Sequence, residues 1–372
     1  MYLISFRCSY SFVDRLCMSQ SHVTTNIANM PIPVDVLLEI LDYVVKAGLA
    51  TMCRVNKICC SCSQDILYRD IYVETPKVQQ TLAQSTHLAR RVRSFDSCYN
   101  NRDLAMALWN MTSLRILKLP IGIHMKILDG CTFKLDSFEC AHVHNYNQSL
   151  ENFLSSQPSL KCVTFHTDFS STVSSSLEAT FLPNLTRINA TFPWLPYLIP
   201  GRPLSEVIST GYTFNKHPID FSFFALSTTP IKKLTIDYSF LYSTPGRLLA
   251  SFLPSLTHFT LTVLRYDTPF KFRGVSGLYL YNYSILSNMA QFGLDIDDWI
   301  ENMLAAFASL RVFTIELTGN QPYPSEIYLR YITTASCQAP HLEYFTIHHG
   351  NFHTVRCKRV NANWVVCEYP AP

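Results

Sequence analysis

"LTHFTL", residues 256–261, sets the frame from which the rest of the chain is read: an aliphatic, two residues, an apolar residue, one residue, and another apolar one. The frame returns as LRILKL from Leu114, LDSFEC from Leu135, LKCVTF from Leu160, LTRINA from Leu185 and LSEVIS from Leu204. It continues as IKKLTI from Ile231, VSGLYL from Val275, LRVFTI from Leu310 and LEYFTI from Leu342. A weaker copy, VRSFDS, starts at Val92. From Val92 to Leu342 there are ten intervals with a mean of 25 residues, the extremes being 19 and 35. Alternating apolar positions over so few residues predict a short strand with one buried face.

The segments between copies change period. NRDLAMALWNM, NQSLENFLSS, GRLLASFL, IDDWIENMLAAF and EIYLRYITTA each place apolar residues at helical spacing. Pro158, Pro183, Pro230, Pro254 and Pro340 stand one or two residues before the next aliphatic. There a proline stops the helix and lets a strand begin.

A short strand plus a helix cannot bury its apolar face alone, and becomes stable by stacking on its neighbours. The expected fold class is therefore α/β, a curved solenoid with a parallel sheet. The period and frame resemble leucine-rich repeats, but the asparagine of that repeat is missing. In this register the third, fifth and seventh positions of each copy face outward, the fifth including Thr164, Thr235, Thr260, Thr314 and Thr346. Leu256, Phe259 and Leu261 are expected in the core and His258, Thr260 and Thr262 outside. By the same register Gly277, Tyr279 and Tyr281 are expected beside them. His258, Thr260, Tyr279, Tyr281, Thr314 and Tyr344 are the candidate substrate-binding residues, with His166 and His348 as further large contacts; aromatic residues are over-represented at interfaces.

Near the start of the chain, PIPVDVLLEILDYVV (31–45) places Val36, Leu37, Ile40, Leu41 and Val44 at the spacing of a helical face. Pro33 suits a first helical position and Asp35 and Glu39 the N-terminal end of the helix dipole. Gly48 is expected to end this helix. Leu49, Met52 and Val55 predict a second short helix; Ile58, Cys62, Ile66 and Leu67 predict a third. Three short helices in about 40 residues fall near the lower limit for a domain that folds alone, so a partner or a neighbouring domain is implied.

The order Pro33, Asp35, Leu37, Leu38, Ile40, Leu41, Val44, Leu49, then Val55-Asn56-Lys57, then Leu67-Tyr68-Arg69-Asp70-Ile71 resembles the F-box, in a form similar to fungal members. It departs from the family in lacking a tryptophan near its end and in a cysteine-rich third helix. The resemblance implies binding to a Skp-type adaptor, and through it to a cullin–RING ubiquitin ligase, with the rest of the chain selecting a protein substrate. The adaptor-binding residues it implies are Pro33, Val36, Leu37, Ile40, Leu41, Val44, Leu49, Val55, Asn56, Lys57, Leu67 and Tyr68. The expected organisation is a flexible tail (1–29), an F-box (30–75) and a leucine-rich-repeat-like substrate-binding domain (76–372).

Composition bounds these readings. Charged residues are 15% of the 372 and hydrophobic ones 48%, so a large core is expected. Lys+Arg 30 against Asp+Glu 27 calls for neither nucleic acid nor an anionic membrane. Glycine, at 11 residues, is scarce for phosphate-cradling loops. Thirteen cysteines without framework spacing point to reduced thiols in the cytoplasm or nucleus. Arg7, Asp14 and Arg15 break the apolar opening segment as a signal sequence, and no uncharged apolar run is long enough to span a membrane. Cys59, Cys60 and Cys62 lack the second ligand pair that a structural zinc site needs. The histidine-rich HHGNFHTVRC is expected to belong to a closing hairpin, HTVRCKRV returning through NWVVCEYP.

No nucleophile elbow, zinc-protease helix, P-loop or dinucleotide fingerprint is present. The expected function, as the F-box resemblance implies it, is that of a substrate receptor of a ubiquitin ligase, non-enzymatic and without cofactor or metal. A scaffold that holds the adaptor without promoting ubiquitination is the alternative.

Overall fold

The computed structural model describes residues 33–120, 122–140, 148–165, 181–209, 220–237, 246–264, 302–318, 339–349, 353–361 and 363–368. The fold is mixed α/β, with most of its strands parallel. The chain divides into two compact units, Met1–Leu160 and Lys161–Pro372.

Three helices open the described part of the first unit: α1 (Val34–Asp42), α2 (Lys46–Met52) and α3 (Lys57–Leu67). Leu37, Leu41, Leu49, Cys59 and Cys62 form their shared core, with Leu38, Val44, Met52, Ile66 and Leu67 packed around it. Asn56 starts α3, its Oδ1 accepting from the Cys59 N–H at 2.8 Å, so one of the orphan donors of the helix is satisfied. Arg69, just beyond α3, reaches the Asp42 carboxylate at the end of α1 at 3.0 Å. That cation offsets an acidic group placed at the unfavourable end of a helix dipole.

Two expectations are corrected here. Helix α1 stops at Asp42, and Gly48 lies inside α2. A Cβ at Gly48 would come within 2.6 Å of Val44 Cγ1, so the glycine allows α2 to fold back tightly on the turn before it. The buried face of α3 is carried by Cys59 and Cys62, while Ile58 faces solvent.

The same unit continues with strands β1 (Asp70–Val73), β2 (Ser94–Ser97), β3 (Ile116–Leu119) and β4 (Ser137–Cys140), parallel and in sequence order. Between them lie α4 (Pro76–Gln84), α5 (Thr86–Ala89), α6 (Asp103–Asn110) and a 3-10 turn at Met125–Leu128; α7 (Gln148–Ser155) follows β4. Ile71, Phe95, Leu117 and Phe138 align across the four strands as one buried row. A repeated backbone bond sets the register. The carbonyl of Arg69 accepts from the N–H groups of Arg93 and Ser94, that of Arg93 from Arg115 and Ile116, and that of Arg115 from Asp136 and Ser137. Arg91 ties α3 to this array through the Asp65 carboxylate and the Ser61 carbonyl. Buried glutamines close two connections: Gln79 Nε2 donates to Ser97 Oγ and the Tyr99 carbonyl, and Gln157 accepts from the Leu135 N–H while donating to the Phe133 carbonyl.

In the second unit β5 (Cys162–Phe165), β6 (Arg187–Ala190), β7 (Glu206–Ser209), β8 (Lys233–Asp237), β9 (His258–Leu264), β10 (Val312–Thr318) and β11 (Tyr344–His349) are parallel and in order. The hairpin expected at the C-terminal end is present as antiparallel β12 (His353–Val360) and β13 (Asn363–Glu368). Val163, Ile188, Val207, Leu234, Phe259, Phe313 and Phe345 align as a buried row. Phe259 and Phe313 stack with centroids 5.8 Å apart. Each described copy of the frame forms its strand two residues after the first aliphatic. The paired backbone bonds recur: the Lys161 carbonyl takes Thr186 and Arg187, that of Thr186 takes Ser205 and Glu206, and that of Thr257 takes Arg311 and Val312.

Among the described residues, connections in this unit are of two kinds, helical and 3-10. GRLLASFL gives α9 (Gly246–Phe252), and residues 302–306 are helical. Between β6 and β7 there is only a 3-10 turn, Phe192–Trp194, running into the single turn α8 (Leu195–Leu198). Pro193, Pro196 and Pro200 remove backbone donors across those few residues. Ser222–Leu226, before β8, is likewise 3-10. Arg202 fills this irregular stretch, wholly buried: Nε donates to the Phe181 carbonyl, and Nη1 to those of Tyr197 and Pro200.

Candidate interaction surfaces

The apolar residues of α1 separate into two stripes. Leu37 and Leu41, four apart, point into the three-helix core. Val36, Ile40 and Tyr43, at spacings of four and three, form a second stripe about a third of a turn away and stay exposed. Tyr43 keeps 91% of its surface and Val45, at the start of α2, keeps 75%. Val34 on α1, Ile58 on α3 and Val55 in the turn between α2 and α3 add further exposed apolar surface. Scattered exposed apolar residues are ordinary; here seven of them fall between Val34 and Ile58.

The residues expected to bind an adaptor therefore have different environments. Pro33, Val36, Ile40, Val55 and Lys57 are exposed, and Val44 and Leu67 are partly buried. Leu37, Leu41, Leu49 and Tyr68 are buried within the unit itself, and the three leucines hold the helices together. Asn56 is occupied as a helix cap. Tyr68 has a second meaning that the sequence carried unnoticed. YRDIYV (68–73) is one more copy of the repeat frame, with Ile71 and Val73 at its apolar positions, and it forms β1. The three-helix segment thus runs directly into the first strand of the array.

The outward rows of the second unit come together across strands as alternation requires. Lys233, His258, Val312, Tyr344 and Lys358 align in one row, and Thr235, Thr260, Thr314, Thr346 and Arg356 in the next. In β9, Leu256, Phe259 and Leu261 are buried, His258 is exposed, and Thr260 and Thr262 are half-buried, which is the expected register. Thr314 and Tyr344 are also half-buried on this face. Thr164 and Thr346 are buried, so the threonine row is open only in part. At Thr346 the neighbour on β12 is Arg356, whose guanidinium lies 4.9 Å from the Tyr344 ring centre. The Lys358 ammonium lies 5.7 Å from the same centre. Thr257 Oγ1 and His258 Nδ1 share a hydrogen bond of 2.9 Å. Partial burial, and then the Lys233 ammonium on the adjacent strand, hold the His258 imidazole below its ordinary value of 6.5.

Tyr279, Tyr281 and His166 lie outside the described residues. One edge of β9 pairs with β8 and the other with β10. His348, by contrast, is placed: its Nδ1 shares a hydrogen bond with Thr354 of the closing hairpin at 2.9 Å.

Among the described residues no cluster of three or more His, Cys, Asp or Glu side chains is arranged to hold a metal ion, and no helix is long and apolar enough to cross a membrane. The cysteines there are free thiols. Comparison with protein-family models and with curated proteins finds no match.

Proposed function

We propose that the chain is a substrate receptor of a cullin–RING ubiquitin ligase, working in the cytoplasm or nucleus without chemistry of its own. Helices α1–α3 act as an F-box that engages a Skp-type adaptor. The strands that follow form a leucine-rich-repeat-like solenoid, and their outward rows bind a protein substrate. The observation that carries this reading is the division of α1 into two apolar stripes. Leu37 and Leu41 complete the internal core, which leaves Val36, Ile40 and Tyr43 as apolar surface for a partner. The parallel, in-order strands with one repeated backbone bond support the second half of the reading.

The test is a double substitution, Val36→Asp with Ile40→Asp, on the full chain. Charges left unpaired in an apolar contact are costly, so capture of a Skp-type adaptor, and cullin with it, is expected to be lost. The melting temperature should hold, because both side chains are exposed. Undiminished adaptor capture by the double variant would refute the F-box reading.

A further inference from the structure

The row Lys233–His258–Val312–Tyr344–Lys358 crosses five strands at the end of the array nearest the strand starts. This five-strand stretch is cationic at both ends and apolar in its middle; beyond Lys233 the row continues to Glu206 and Arg187. At one end Lys233 is exposed beside His258. At the other, Lys358 and Arg356 lie around the Tyr344 ring, 5.7 and 4.9 Å from its centre. Among the described residues no carboxylate forms an ion pair with Lys233 or Lys358; Glu206, the next position of the same row on β7, pairs with Arg187 at 3.5 Å, and Glu343, beside Tyr344, pairs with Arg311 at 3.9 Å. Val312, half-buried, stands between the two ends. The adjoining row offers the half-buried Thr235, Thr260 and Thr314.

Strands lie about 4.8 Å apart, so the four steps from Lys233 to Lys358 cover roughly 19 Å, the reach of about six extended residues. We propose that this row docks an extended acidic polypeptide segment, with carboxylates at both ends and an apolar residue between them. Lys233 and His258 take one end, Lys358 and Arg356 the other, and Val312 the middle. The neighbouring threonine hydroxyls face the backbone amides of the segment. Nucleic acid fits less well: the Tyr344 ring is already flanked by its own cations, and the pattern breaks at Val312 where a phosphate backbone would need continued charge. The proposal rests on the reading of these rows as the substrate surface and names the chemistry of what binds there.

The probe is a fluorescent peptide of about eight residues with two glutamates at each end and a central leucine, a length matched to the strand spacing. Its glutamine-ended and lysine-ended counterparts and an oligothymidylate of similar length serve as comparisons. The full-length wild-type chain should prefer the glutamate peptide, and added salt should weaken the binding. Lys233→Glu with Lys358→Glu should weaken it about tenfold or more, exposed pairs being individually modest, and should confer binding of the lysine-ended peptide. That exchange requires a folded face, so it separates lost recognition from lost structure. Equal binding of glutamate and glutamine peptides would overturn the proposal, as would stronger binding of the oligonucleotide. A charge-reversed variant that keeps wild-type affinity would do the same. Adaptor capture, measured on the same samples, tests the F-box reading separately: wild-type chain that binds the glutamate peptide and no adaptor supports this proposal and overturns the other.

Discussion

Leu37 and Ile40 stand three residues apart on one helix, yet 3% of Leu37 is exposed and 49% of Ile40. The two side chains look alike in the sequence and serve opposite ends: one closes the core of three helices, the other is left on the surface. Leu37→Ala should therefore destabilise the first unit by about 2–5 kcal/mol. Ile40→Ala should change stability by no more than about 0.5 kcal/mol. Chemical denaturation followed by far-UV circular dichroism checks both, and equal effects would mean that α1 is not oriented as described.

Phe259 and Thr260 make the same comparison on a strand. Phe259 is fully buried between Phe313 and Phe307, and Phe259→Ala should cost about 3–5 kcal/mol. Thr260→Ala, on the half-buried outward row, should cost less than about 1 kcal/mol. A reversal of that order would put the register of β9 off by one residue.

Arg202 gives a prediction with no sequence precedent. Its buried guanidinium donates to three backbone carbonyls. Arg202→Ala leaves those acceptors without this donor, at about 1–3 kcal/mol for each group left unsatisfied. Arg202→Lys should restore little, because one ammonium cannot reproduce the planar fork. Thermal melts of the two variants should fall close together and well below wild type.

His258 sets a pH dependence. Its folded-state value lies below the ordinary 6.5, through burial first and Lys233 second. The unfolded chain therefore takes up the proton before the folded one, and stability is lost as pH falls through about 6.5. Lys233→Gln removes the like charge and should shrink the drop in melting temperature between about pH 7.5 and about pH 5.5, the range in which histidine titrates. An unchanged drop would assign the acid sensitivity to other groups.

Thiol reactivity should follow burial. Burial, with the Asp129 carboxylate second, pushes the Cys131 thiol up to about 12. Burial likewise raises Cys357 and Cys62. Cys98 and Cys367 are exposed. Since the thiolate is the nucleophile, iodoacetamide at neutral pH should label Cys98 and Cys367 in the native chain and leave Cys131, Cys357 and Cys62 until unfolding. Peptide mass mapping reads the order directly.

The strands were legible in the sequence because each carries its own signal, alternating apolar residues two after an aliphatic. That local pattern placed the β9 core at Leu256, Phe259 and Leu261 and the hairpin at the C-terminal end. Which copies become neighbours was not legible, since pairing is a long-range choice. The sequence does not show, for instance, that β9 pairs with β10, whose frame starts 54 residues further on. On α1 the sequence showed one broad apolar face. Only the positions of α2 and α3 separate Leu37 from Ile40, and no pattern within fifteen residues contains them. YRDIYV was not legible as a copy because it overlaps the end of the third helix, where one segment closes the helices and opens the strands.

The paired N–H groups that meet one carbonyl at each strand start have a consequence for how such a chain can change. Thr186 and Ser205 are 19 residues apart, whereas Thr262 and Glu316, neighbours on β9 and β10, are 54 apart. The step from strand to strand is nevertheless made by the same bonds in both places. Alignment is fixed at the start of each strand and makes little demand on the length of what precedes it. Segments can therefore be gained or lost between strands while the outward rows keep their spacing. A connection can change length, at a cost that grows only slowly with the loop, and the ruled surface of outward rows is unchanged.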